Sequence, residues 1–140
     1  MYTTNYFNTF IEVAEDCPVN TAKIPVLRSG KKTAAYIQYE MISGQPYVYT
    51  SDDVLFQVYA EQNGIPPEGI ETAKISFFAK GQPCMRASVL TKSYGWGVHC
   101  DAEGKVALYA LESDTYKDLV LDSSMQHTRA MRSKRKNKTG

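Results

Sequence analysis

The chain has 140 residues, 43% of them apolar and 22% charged, with a formal net charge of +1. That length suits one domain, which buries roughly 68–70% of the surface its unfolded chain exposes. The composition excludes an acidic disordered chain, and no apolar run approaches the ~20 residues needed to span a bilayer, so no membrane association is expected.

The opening Met1 to Tyr6 has neither a basic nor an apolar region of the secretory type, so no signal peptide is expected. Residues 7–14, Phe7 through Ala14, gather Phe, Thr, Ile and Val around Glu12 and predict a strand. Pro18 ends it by steering Cys17 away from helical dihedrals. Residues 18–30 read as a connection. From Lys31 to Ser43 the spacing of Ala34, Ile37 and Met41 predicts a helix, closed by Gly44 and Pro46. Ser51 is the expected N-cap of a second helix, with Asp52 and Asp53 in its first turn and Val54, Leu55, Val58 and Tyr59 on one face. Helix capping accounts for these two acids better than metal binding, because neighbours on a helix diverge by about 100°. Pro66-Pro67 opens a third helix, with Ile70, Ala73, Phe77 and Phe78 on one side and Gly81 after its end.

Ser88 caps a short turn through Lys92. A β-hairpin follows: Trp96, Val98 and Cys100 alternate with Gly97 and His99, Asp101 to Gly104 turn, and Val106, Leu108 and Ala110 alternate back. Ser113-Asp114 starts a last helix that buries Tyr116, Leu119 and Val120. After Asp122 the apolar periodicity stops. Segregated strands and helices predict a single α+β domain over residues 1–122. Its small antiparallel sheet would join the N-terminal strand to the C-terminal hairpin, packed with three to four helices.

Residues 123–140 are expected to be a flexible basic tail. Arg129, Arg132, Lys134, Arg135, Lys136 and Lys138 give it +6, whereas residues 1–128 set 10 Lys and Arg against 15 Asp and Glu. Such an arm suits a nucleic acid or an acidic protein partner, and equally a solvated tail that keeps the protein soluble. Cys17, Cys84 and Cys100 are odd in number and lack C-x-x-C spacing, which argues for reduced thiols in a cytosol rather than a disulfide framework. No zinc spacing is present, since His99 and Cys100 point to opposite sides of a strand, and no metal or cofactor is expected.

The chemistry-bearing side chains concentrate in Lys80 to Ser88 and Lys92 to His99. Cys84, Arg86, Lys92, Tyr94, Trp96 and His99 are the candidate ligand-binding residues. Arg86 and Lys92 would hold an anion, and Trp96, with Gly95 and Gly97 on either side, would offer a stacking face. The competing reading packs Trp96 into the core and uses the glycines for close packing. Cys84 and His99 form a candidate nucleophile and base, with no third member or oxyanion motif in view. No phosphate-cradling or zinc-protease motif is present.

The stretches FNTFIEVAEDCPV (Phe7–Val19), TSDDVLF (Thr50–Phe56), KGQPCMRAS (Lys80–Ser88), YGWGVHCDAEGK (Tyr94–Lys105) and AMRSKR (Ala130–Arg135) run nearly the whole chain. In them the chain resembles a family of short bacterial proteins of unknown function. The resemblance implies a bacterial cytosolic origin and a basic tail that belongs to the protein, and carries no catalytic role. The leading function is a small cytosolic domain that binds an anionic ligand or partner. The alternatives are a Cys84-dependent enzyme and an adaptor that acts through the tail.

Overall fold

A computed structural model describes residues 1–134. Thr9–Glu12 forms β1, shorter than the predicted strand, although Val13 and Ala14 beyond it are still buried. Trp96–Cys100 (β2) lies antiparallel to β1, and Val106–Ala110 (β3) completes the predicted hairpin. Asp101 makes the turn: its Oδ1 accepts from the amides of Glu103 and Lys105 at 2.9 and 2.8 Å.

The sheet does not stop there. Gln126–Arg129 (β4) pairs in parallel with the free edge of β1, giving a mixed sheet in the order β3-β2-β1-β4. The α+β class is as expected, and the small antiparallel sheet expected from the sequence gains a fourth, parallel strand that lies beyond Asp122. Gln-His-Thr-Arg carries no apolar alternation, because backbone pairing rather than side-chain burial holds this strand. Ala130, just past it, is buried, and its amide donates to the Glu12 carbonyl at 2.8 Å. Arg135, Lys136 and Lys138 of the expected tail lie outside the described residues.

Among the described residues five helices surround the sheet, the third packing on the second rather than on the sheet itself. Ala34–Gly44 (α1) starts behind Thr33, whose hydroxyl accepts from the Tyr36 amide, so the helix begins three residues later than its apolar spacing implies. Ser51–Gln62 (α2) is capped by Thr50 rather than Ser51. Thr50 and Asp53 each accept from the other's amide, a reciprocal capping box. A 3-10 turn at Pro67–Gly69 leads into Ile70–Phe78 (α3), the predicted third helix. Val89–Lys92 (α4) is the predicted turn behind Ser88, and Asp114–Leu121 (α5) the last predicted helix.

The pleat assigns the core. Ile11, Val98, Cys100 and Val106 point to one side, where Ile42 of α1, Val54 of α2 and Met85 close over them. Phe10 points to the other side and meets Tyr116 of α5 edge-on, with ring centroids 5.1 Å apart. Phe56 and Ala60, on the far side of α2, pack with Phe78 of α3 in a third cluster. Among the described residues, no helix is long and apolar enough to cross a membrane.

Candidate functional site

The loop after α3 is fixed by its own polar groups. Gln82 Nε2 donates to the Phe77 carbonyl at 2.8 Å, satisfying a helix-end acceptor. Met85 is fully buried and anchors a 3-10 turn, Met85–Ala87, that follows Cys84. Thr91 Oγ1 donates to the Met85 and Ser88 carbonyls at 2.9 and 3.0 Å, tying the turn to α4. Ser88 Oγ accepts from the Leu90 amide as the α4 cap and donates across to Gln38 Oε1 of α1.

These contacts wall a cavity of about 330 Å³ between α1, α2, the end of α3 and the 82–88 loop. Its apolar walls include Leu55, Val58, Tyr59 and Phe77, and its polar groups come from Gln38, Gln62, Gln82, Cys84 and Ser88. Among the described residues, no Asp, Glu, Lys or Arg lines it. Gln38 is only 5% exposed. Its Oε1 is engaged by Ser88, and among the described residues its Nε2 has no hydrogen-bond partner. Among the described residues no fully enclosed side-chain nitrogen or oxygen is left unpartnered, so Nε2 is not sealed off, and Gln38 is one of the residues that line the cavity. Cys84 Sγ stands 3.3 Å from Tyr6 Oη. Burial, then the contact with Cys84, raises the Tyr6 pKa against the nearby Arg86 guanidinium, which lowers it, so the phenol stays protonated near neutrality.

Of the six predicted binding residues, only Cys84 lines this cavity. Arg86 turns toward β4, where its Nε donates to the Arg129 carbonyl at 2.6 Å and its own carbonyl accepts from the Met131 amide. Lys92 sits half-buried in the last turn of α4. The Tyr94 carbonyl accepts from the Lys23 amide, and Trp96 Nε1 donates to the Lys23 carbonyl at 2.7 Å. Trp96 is half-buried with its ring 5.3 Å from that of Tyr39, so the indole fastens the 18–30 connection to the sheet. Its glycine neighbours serve close packing, as the competing reading held: a Cβ at Gly95 or Gly97 would stand within 3 Å of a neighbouring side chain.

His99 and Cys84 do not meet. His99 pairs with Phe10 in the register and shares the α5 face, while Cys84 belongs to the α1–α2 side. His99 Nδ1 lies 2.8 Å from Tyr47 Oη, which is 2.7 Å from Tyr109 Oη. Tyr47 holds a left-handed backbone (φ 61°), fastened by its amide to the Val106 carbonyl. Burial raises the Tyr47 pKa and lowers that of His99, with Asp101 and Asp122 partly opposing the latter. The lowered pKa favours the neutral imidazole, which shares a hydrogen bond with the Tyr47 hydroxyl through Nδ1.

A stability change follows. The folded pKa of His99 lies below its unfolded value, so the unfolded chain binds more protons near that value. The stabilisation is complete above about pH 6.5 and is lost as pH falls below it. The urea midpoint is expected to drop between about pH 7 and pH 5. In His99→Gln the drop over that interval should shrink; an equal drop in both proteins would assign it to other groups.

Cys17 and Cys84 are half-buried free thiols, and Cys100 is a buried one. Burial pushes Cys100 up to about 12, which leaves it inert at neutral pH. The basic segment, as far as it is described, is folded back on acids of this chain. Arg129 reaches Glu12 at 3.6 Å and Arg132 reaches Glu15 at 3.3 Å. The amides of Ser133 and Lys134 donate to Asp16. Desolvation pushes the Asp16 carboxyl up, but these amides and Arg132 outweigh it and hold the pKa below its ordinary value. Among the described residues, no three His, Cys, Asp or Glu side chains gather into a set that could hold a metal ion.

Gln38 and Tyr6 were absent from the sequence-level candidates. Gln38 carried a usable signal: with Ala35 and Ile42 it falls at i, i+3 and i+7, a polar residue on the buried stripe of α1. Tyr6 carried none, because its contact with Cys84 spans the chain. No curated protein and no solved structure matches the chain. A family model described as "Family of unknown function (DUF6157)" matches residues 1–136, and the chain belongs to that family.

Proposed function

We propose that the protein is a small ligand-binding domain whose site is the cavity between α1, α2, α3 and the 82–88 loop. One observation carries this: Gln38, almost wholly buried, has an amino group with no partner among the described residues and lines a cavity of about 330 Å³ with apolar walls. Ligand pockets combine these traits, an apolar lining with a few directed polar groups and a volume of about 300–1,000 Å³. The neutral lining revises the anionic expectation. A carbonyl oxygen matches the Gln38 donor, and an aromatic or aliphatic body matches Leu55, Val58 and Phe77. Three free thiols accord with a cytosolic setting.

Benzamide is a suitable probe, with benzoate as its charged counterpart. Titration by amide NMR should give saturable shifts at Leu55, Val58, Ala87 and Ser88 with a Kd on the order of 1 mM for so small a ligand. Benzoate should bind more weakly by about tenfold, because its charge would enter a neutral site. Shifts that never saturate, or that map to the α5 face, would refute the pocket.

A further inference from the structure

We infer that Cys84 is a covalent acceptor for small neutral electrophiles in which a carbonyl is conjugated to a carbon–carbon double bond. The inference rests on the pocket proposed above and adds a reaction to it. Cys84 is half-buried and lines the same cavity as Gln38. The other two thiols lie elsewhere: Cys100 is fully buried under the helices, and Cys17 packs by Phe10 and Tyr116 on the α5 side. A ligand whose carbonyl oxygen accepts from Gln38 Nε2 would share the cavity that Cys84 also lines, and the reaction requires its double bond to extend toward the thiol.

The step is an addition. The sulfur electron pair forms a C–S bond at the β-carbon. The π pair of the double bond moves onto the carbonyl as an enolate, where the negative charge strengthens the hydrogen bond from Gln38. The proton lost by the thiol ends on the α-carbon. No bond is cleaved to release a fragment, and no oxidant or reductant is consumed. Tyr6 Oη, 3.3 Å from Sγ, positions the thiol at the cavity wall.

Acrylamide is the probe, being neutral, small and conjugated. Methyl methanethiosulfonate serves as a control, because it reports thiol access and has no carbonyl. Intact mass and peptide mapping of the full chain should show acrylamide on Cys84 ahead of Cys17 and Cys100, at a rate that saturates with acrylamide concentration. Gln38→Glu keeps an acceptor for Ser88 and removes the donor; Gln38→Met removes both and keeps the volume. Each should slow acrylamide labelling of Cys84 by roughly five- to tenfold, the worth of one hydrogen bond, and leave the methanethiosulfonate rate unchanged. Labelling that does not saturate, favours Cys17, or slows equally for both reagents would overturn the inference. If benzamide still binds in that case, only the covalent step is wrong; if benzamide binding is lost as well, the pocket itself is wrong.

Discussion

A chain ended at Met125 is expected to lose cooperative folding rather than a dispensable tail. The deletion removes β4 and with it the parallel ladder along β1. It also removes the amide bonds from Gln126 to Asn8, Ala130 to Glu12 and Met131 to Arg86, at 2.9, 2.8 and 2.8 Å. Arg86 Nε loses its acceptor on Arg129. Counting ladder and flanking bonds together at about 1 kcal/mol each gives a loss of roughly 5 kcal/mol. Domains of this size have about 5–15 kcal/mol to lose. The urea transition should therefore broaden or vanish, and near-ultraviolet circular dichroism from the aromatic core should collapse. An unchanged midpoint would mean that β4 contributes no stability.

Gly97→Ala should be nearly as damaging, although it adds a single methyl group. A Cβ at this position would stand 2.6 Å from Tyr116 Cε2 and 2.8 Å from Phe10 Cζ. Both atoms belong to rings, which cannot bend aside as a flexible side chain does. Tyr116 is further held by its hydroxyl, which accepts from the Val13 amide at 3.0 Å. Overpacking of about 1–3 kcal/mol, plus about 1 kcal/mol if that hydrogen bond breaks, gives a cost of roughly 2–4 kcal/mol. The melting temperature should fall by on the order of 10 °C. Phe10→Leu introduced on top of Gly97→Ala should recover part of the loss by vacating the Cζ position. A melting temperature within about 2 °C of the parent would contradict this account of the contact.

Gly97 also shows what the sequence could and could not convey. Glycines beside a lone tryptophan are consistent with an open stacking face and with close packing, and only the position of α5 decides between them. The hairpin, the helices and their stops were legible because local chemistry specifies them: alternation in β2 and β3, a Ser or Thr before each helix that a side chain caps, and Gly or Pro beyond an end. β4 was not legible, because four exposed or half-exposed residues without apolar period are held by pairing with a strand at the other end of the sequence. The site followed the same division. Cys84 and Arg86 both come near the Tyr6 hydroxyl, whereas Trp96 is tied to Lys23 and Tyr39, contacts that residue spacing does not specify. Electrostatic reading of residues 129–134 as an outward arm missed Glu12, Glu15 and Asp16, which the β1–β4 pairing brings alongside.

The parallel pairing of β1 with β4 has a consequence for biosynthesis. Thr9 leaves the ribosome early, yet its partner Gln126 is polymerised 117 residues later. At about 5–20 residues per second that interval is roughly 6–23 s. Throughout it the strand that carries Phe10 and Ile11 has one edge open, a template for pairing with other nascent chains on the same message. The window closes only when Arg129 is free to reach Glu12. Slow codons anywhere between Thr9 and Arg129 would lengthen the exposure without changing a single residue of the product, so solubility in the cell should respond to translation rate across that whole stretch.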